Sequence, residues 1–329
     1  MWYDGQRVLD KDCLFNFIVG GRGIGKSFYW KKYCLERFRD AGEQFIYLRR
    51  YKEELKPEKM KRLFNDLKAA GYFPEDDIEV KGREIYYNKK VCGYVQALST
   101  ALIAKSDSFP QVQTILFDEF LIETGAYHYL RNEVVALLGF YETVARNREC
   151  VKLFLLSNAI TISNPYFNYF NIKLPDKDAS IWRRGDILLH MPKDSEFMGM
   201  RSQSRFGKMI SGSLYSDYSI NNRFYLDDET FIERKTARSH IVCNFGINGV
   251  LYGMWIDPEI GRAYISQDHD SRMYTYSLTV DGHNINSILI GKYKPFHLAE
   301  LINYYRSGCL RFETQKIKGI TMNYLKKVV

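Results

Sequence analysis

The sequence predicts an α/β chain of 329 residues. A P-loop domain on a mainly parallel sheet is expected over 1–197, a linker or small subdomain over 198–228, and a small α+β domain over 229–329. Three observations predict this. An apolar run from Leu14 to Val19 enters a glycine-rich turn ending in Lys26 and Ser27. About 90 residues beyond that loop a second buried run, Thr114–Phe117, ends in two adjacent carboxylates, Asp118 and Glu119. From Met198 to Asp227 the chain turns rich in Ser, Gly and Arg, and after it the strand-like runs become short and turn-punctuated.

The first stretch, Gly20-Gly21-Arg22-Gly23-Ile24-Gly25-Lys26-Ser27, has the spacing of a phosphate-binding loop. Glycines let the backbone curl so that several N–H groups face one phosphate. The helix that follows brings its positive N-terminal end to the same point. In that pattern Lys26 reaches the β- and γ-phosphates, and the Ser27 hydroxyl ligates Mg²⁺. A chance glycine turn is the competing reading. The context argues against it: a strand precedes the loop, and the helix after it carries Trp30, Cys34 and Phe38 on one face.

Glu43–Leu48 reads as the next buried strand and runs into Arg49-Arg50. Residues 49–62 hold seven basic and three acidic side chains. A solvated helix face is the plainer reading; a phosphate contact by Arg49 or Arg50 at the strand's end is the other. Residues 78–97 alternate around Asn88-Lys89-Lys90 and read as a β-hairpin inserted between core strands. Lys105 and Ser106 follow in a polar loop that ends at Pro110.

At the second stretch, Asp118 would hold Mg²⁺ through water, and Glu119 would orient and deprotonate an attacking water. Adjacent strand residues point to opposite faces, so both can serve only where the chain leaves the sheet. Asn132–Arg146 reads as a helix ending in Arg146-Asn147-Arg148. Val151–Leu156 is another buried strand, and Asn158 at its tip is either a γ-phosphate sensor or a plain Asn turn.

In the last domain, strands are expected at Phe231–Glu233, His240–Phe245, Val250–Ile256, Ala263–Ser266 and Tyr274–Val280. A helix (Phe296–Tyr305), a strand (Cys309–Phe312) and a helix (Gln315–Lys327) follow. Three antiparallel strands followed by mixed helices and strands suit an RNase H-like fold. Asp257, Glu259, Asp268 and Asp270 are its acids, but they read better as turn and surface groups than as a two-metal site. Residues 301–329 hold six basic groups and one acidic group, suited to a phosphate backbone or to a solvated surface.

Composition narrows the class. Net charge is +8, which favours an anionic partner such as nucleic acid. The six scattered cysteines form no CxxC pair and read as free thiols. The histidines form no metal-ligand pair. No run of apolar residues is long enough to span a membrane, and MWYDGQRVLDKD lacks the basic-then-apolar pattern of a signal peptide.

The combination GGRGIGKS, EQFIYLRRYKEEL, TILFDEF, RNEVVALLGFYETVARNRE and LLSNA…NPYF resembles one narrow family. It is similar to the DNA-packaging ATPases of small protein-primed tailed phages, the phi-twenty-nine type. FGKMISG in the linker and Cys309-Leu310-Arg311-Phe312 extend the resemblance through most of the chain. The resemblance implies an additional-strand catalytic-glutamate ATPase using ATP and Mg²⁺. It implies a homopentameric ring at the prohead portal, with a structural packaging RNA between portal and ATPase, that translocates double-stranded DNA. Such a protein works in the host cytoplasm, transiently on the prohead, and is absent from the mature virion. By the same match Glu119 is the catalytic glutamate, Arg146 an arginine finger acting in a neighbour's site, and Lys105 a second basic residue across the interface. The C-terminal domain would be a vestigial nuclease. A terminase with a live nuclease, a helicase-like translocase and a non-enzymatic nucleic-acid-binding protein are the competing functions.

Overall fold

The computed structural model describes residues 3–101, 108–122, 128–162, 164–175, 179–192, 199, 202–211, 231–247, 249–278, 280, 283–290 and 295–328. The chain divides into two compact units, Met1–Thr161 with Pro165–Leu226, and Asp227–Val329 with Ile162–Asn164.

The first unit is built on a nine-stranded sheet in the order β3-β4-β5-β2-β6-β7-β1-β9-β8. Its strands are β1 (Phe15–Gly20), β2 (Gln44–Arg49), β3 (Ile78–Lys81), β4 (Glu84–Tyr87), β5 (Lys90–Ala97), β6 (Val112–Asp118), β7 (Lys152–Asn158), β8 (Ile181–Arg184) and β9 (Ile187–His190). The six strands from β5 to β9 in that order are mutually parallel; β3, β4 and β8 are antiparallel edges. β1 is buried along its whole length. Both faces of this sheet are covered, so its central strands read as continuous apolar runs rather than alternating ones. On one face Trp30 of the P-loop helix (Lys26–Ala41) stacks on Phe154 of β7 at 3.9 Å. Phe154 shares a register row with Asn16, so Phe17 points to the other face. There it meets Phe120, Tyr166 and Phe167.

β7 lies between the strand that feeds the P-loop (β1) and the strand that ends in Asp118 (β6). This inserted strand is the defining feature of the additional-strand fold. Two details differ from expectation. The 78–97 stretch is not set apart from the sheet: β5 joins it parallel to β2, and only β3 and β4 extend the edge. The hairpin turn itself falls where the alternation puts it, at Asn88-Lys89, both with positive φ. The β8–β9 hairpin was not foreseen, because two four-residue strands carry too little period to read.

The second unit has a six-stranded sheet in the order β14-β13-β10-β11-β12-β15. These are β10 (His240–Ile247), β11 (Val250–Asp257), β12 (Arg262–Ser266), β13 (Thr275–Ser277), β14 (Ile288–Leu289) and β15 (Leu310–Phe312). β10, β11 and β12 form an antiparallel meander; β13 runs parallel to β10, and β14 to β13. That is the RNase H-like strand order, with β15 added parallel to β12. Helices Phe296–Arg306 and Gln315–Val328 bury Leu298, Leu301, Ile302, Ile317 and Leu325 against it. Of the expected strands, Phe231–Glu233 is only a single bridge, Ile232 to Phe312. Tyr274–Val280 shortens to β13, because β10 ends its ladder at Gly246↔Ser277.

Candidate functional site

The C-terminal ends of β1, β6, β7 and β2 converge on one point. Gly23 and Gly25 take φ of +81° and +97°, a conformation L side chains rarely adopt, and this turns β1 into the helix N-terminus. The Lys26 side chain is buried and curls back over the loop. Its Nζ donates to the carbonyls of Gly20 (3.1 Å) and Gly21 (2.7 Å) and to Asn158 Oδ1 (3.4 Å). Register explains the last contact: Asn158 of β7 sits directly beside Gly20 of β1. Burial pushes the Lys26 ammonium down to about 7, with nearby Asp118 opposing the shift.

Asp118 ends β6, and each of its carboxylate oxygens has a donor. Ser27 Oγ donates to Oδ1 at 2.9 Å, and the buried Tyr47 hydroxyl donates to Oδ2 at 3.0 Å. Glu119 is the first residue beyond the strand. It takes φ of +59°, which turns its side chain out of the sheet register, and that side chain is 64% exposed. Arg49 at the end of β2 is ion-paired with Glu119 and also donates to Glu54 through Nε at 3.1 Å. Gly23, Gly25, Lys26, Ser27, Asp118, Glu119 and Asn158 therefore line one cavity of about 300 Å³. Arg22 is exposed and Ile24 buried in the same loop.

Tyr47 was missed as a site residue, whereas the sequence weighs Arg49 and Arg50 as phosphate contacts against a solvated helix face. The signal for Tyr47 was available: i and i+2 in a strand share a face, so Tyr47 and Arg49 look the same way, toward Asp118. Arg50 contradicts the reading of a solvated basic stretch. It is 4% exposed and forms a two-pronged pair with the buried Glu133, Nε–Oε2 2.9 Å and Nη2–Oε1 3.0 Å. It also donates to the carbonyls of Glu119 (3.3 Å) and Phe120. The buried pair thus holds the backbone on which Glu119 is mounted. Lys52, Lys56, Lys59, Lys61 and Arg62 are exposed, as a solvated face requires.

Arg146 caps the helix Glu133–Ala145 with φ of +50°, its N–H bonded to Glu142 O at 2.7 Å. Its side chain is exposed and does not line the phosphate cavity of its own chain. Lys105 lies outside the described residues. Arg148, passed over in the sequence, donates to four backbone carbonyls: Phe109 (2.8 Å), Pro110 (2.8 Å), Val112 (2.7 Å) and Val144 (2.6 Å). It ties the end of the Arg146 helix to the segment that enters β6. Arg148→Ala should cost about 1–3 kcal/mol, read as a lower denaturant midpoint. Arg148→Lys should recover only part of it, since an ammonium lacks the guanidinium fork. An unchanged midpoint in Arg148→Ala would contradict the bracing role.

The four candidate acids of the second unit, Asp257, Glu259, Asp268 and Asp270, each have partners of their own. Asp257 accepts from Thr236 Oγ1 and from Glu259 N (3.1 Å). Glu259 pairs with Arg238, Asp268 with Lys235 at 3.0 Å, and Asp270 with Arg272 at 2.6 Å. Inside β10 the fully buried polar residue is Asn244, which donates to Asp270 O at 2.8 Å. Among the described residues no group of three or more His, Cys, Asp or Glu could hold a metal ion.

A P-loop, a carboxylate bonded to its serine, an exposed glutamate one residue on and an inserted strand define a class: the additional-strand P-loop nucleoside triphosphatases. The Podovirus DNA encapsidation protein (Gp16) family model matches residues 1–329, and the chain belongs to that family. A DNA packaging protein of Bacillus phage phi29 is 41% identical over 330 residues, covering 100% of this chain and 98% of its own. That of Bacillus phage PZA is 40% identical over 330 residues, with the same coverage. Among solved structures, the bacteriophage phi29 viral genome packaging motor assembly contains a chain with TM-score 0.81 and 40% identity. The match covers 100% of this chain and 99% of that one. The N-terminal domain of the phi29 DNA packaging ATPase matches 60% of this chain and 98% of its own, at TM-score 0.55 and 43% identity.

Proposed function

We propose that this chain is an ATP-driven motor that packages double-stranded phage DNA into a prohead. The observation that carries the reading is the convergence of Lys26, Ser27, Asp118, Glu119 and Asn158 at one sheet edge. It stands in a chain matched along its full length by a DNA encapsidation family. In this reading residues 1–197 are the ATPase domain, 198–228 a linker, and 229–329 a vestigial RNase H-like domain that binds nucleic acid. Partners are the prohead portal, a structural packaging RNA, the DNA and further copies of the chain in a homopentameric ring. The protein acts in the host cytoplasm on the prohead and is not retained in the mature virion.

Lys26 and the loop amides hold the phosphates. Ser27 and Asp118 offer hydroxyl and carboxylate oxygens, the hard donors Mg²⁺ prefers. Bound there with ATP, Mg²⁺ would neutralise charge on the β- and γ-phosphates. Glu119 leaves Arg49 to take a proton from the attacking water, and Asn158 reports the γ-phosphate to β7. Arg146 of an adjacent copy stabilises the charge on the transferred phosphoryl group, with Lys105 beside it. A finger supplied in this way is worth roughly 10³–10⁵ in rate. Nuclease activity is not part of this reading, because Asp257, Glu259, Asp268 and Asp270 each already hold a donor or cation of their own.

The test is ATP-dependent protection of DNA from external nuclease by proheads loaded with this chain. Protection should require hydrolysable ATP; protection without ATP would overturn the reading.

Lys26 adds a pH signature. Its folded pKa, about 7, lies below the ordinary lysine value near 10.4. The fold therefore gains stability as pH rises from about 7 toward 10 and is penalised below that window. A triphosphate favours the charged ammonium, so ATP binding at pH 8 should take up close to one proton, and affinity should fall as pH rises. Calorimetry in buffers of different ionisation enthalpy reads this directly. Heats independent of buffer would contradict it.

A further inference from the structure

The phosphate cavity does not end at Ser27. Phe28 and Asp66 line it, and both also line a second cavity of about 590 Å³. The two spaces therefore share walls. The second is walled by Phe28, Tyr29 and Lys32 of the P-loop helix and by Tyr72, with Tyr3 at its edge. Phe28 and Lys32 are i, i+4 on that helix and so share one face. Tyr72 lies over both: its ring centroid is 5.7 Å from that of Phe28, and the Lys32 ammonium is 4.5 Å from its centre. Tyr72 is 39% exposed, so its ring is open to a ligand from the cavity side. The Tyr3 backbone N–H bonds to Ile24 O at 2.9 Å, so even the edge of this cavity is tied to the P-loop.

The order of groups across the two adjoining cavities matches a nucleotide. Asp118, Glu119 and Asn158 mark the γ end. The amides at the helix start, Ser27 and Phe28, face the α-phosphate end. What lies past Phe28 must then receive ribose and base. Asp66 stands at the junction, where the ribose would pass. Its carboxylate is neutralised by Lys31, whose Nζ is 2.7 Å from both oxygens, so it does not repel a triphosphate.

We infer that the Phe28–Tyr29–Tyr72 cavity is the base subsite of the nucleotide site, holding the base of ATP by stacking against Tyr72, with Lys32 and Asp66 at the polar edge. This rests on the ATPase reading above and names where the rest of the substrate goes. No local pattern marks it, because Tyr72 enters from a different segment more than forty residues from Phe28.

The experiment is calorimetric binding of ATP and of inorganic tripolyphosphate, each with Mg²⁺, to the full chain and to Tyr72→Ala and Tyr72→Phe. Stacking of a base on an aromatic ring predicts roughly a tenfold or greater loss of ATP affinity in Tyr72→Ala. Tripolyphosphate affinity should be unchanged, and Tyr72→Phe should bind ATP as the parent chain does. Equal losses for both ligands would mean that Tyr72 acts through the P-loop, and no loss for ATP would place the base elsewhere; either overturns the inference. A parent chain that binds neither ligand would overturn the ATPase reading itself, and the base subsite with it.

Discussion

Replacing Glu119 with glutamine should lower ATP turnover by roughly 10²–10⁴-fold while ATP still binds. The amide keeps the size of the side chain but cannot accept the proton that the attacking water must lose. Position argues for the same outcome. Glu119 stands one residue past β6, lines the phosphate cavity and is mounted on a backbone of positive φ. A non-glycine residue in that conformation costs about 1–2 kcal/mol. The conformation is held by Arg50 on the Glu119 and Phe120 carbonyls and by the Phe120 N–H on Leu156 O at 3.2 Å. Arg49 engages the carboxylate, so action of Glu119 as a base requires that ion pair to open. Binding is measured by calorimetry and turnover by phosphate release. Turnover within a few-fold of the parent chain would remove Glu119 from the role of base.

Glu133→Ala should be strongly destabilising to the first unit. The Glu133 side chain is fully buried and carries the Arg50 pair, the Tyr166 hydroxyl and the Leu130 N–H at 2.7 Å. Removing one member of a buried pair leaves an uncompensated charge and costs about 3–5 kcal/mol. The loss should reach function as well, because the stranded Arg50 no longer fixes the Glu119–Phe120 backbone. A denaturant midpoint close to that of the parent chain would show that water or another group satisfies Arg50, and the bracing role would fall.

These two residues mark the line between what the sequence makes legible and what it hides. The P-loop and the Asp118-Glu119 pair were readable because local spacing and a buried strand dictate their chemistry. Asn158 read equally as a γ-phosphate sensor or a plain Asn turn; its place beside Lys26 depends on β7 being inserted next to β1. The Arg50–Glu133 pair joins residues 83 positions apart, and each alone resembles an ordinary surface charge. Arg148 hides for a similar reason: its partners are carbonyls, which leave no mark in a sequence. In the second unit the meander was legible, whereas the two-residue β14 was too short to leave a pattern. Asp257, Glu259, Asp268 and Asp270 read as turn and surface groups, and each has a local partner.

The central claim is that an intact catalytic glutamate on one copy is completed by an arginine from the next. It is tested most directly by assaying ATP turnover on assembled proheads with DNA for Glu119→Gln, for Arg146→Ala and for their mixture. Each variant alone should be nearly inactive. Arg146 is exposed and absent from its own chain's phosphate cavity, so the mixture should recover activity at interfaces that join an intact Glu119 to an intact Arg146. A mixture that stays inactive while both variants assemble would contradict the account, and Arg146 would have to act within its own subunit or outside the reaction.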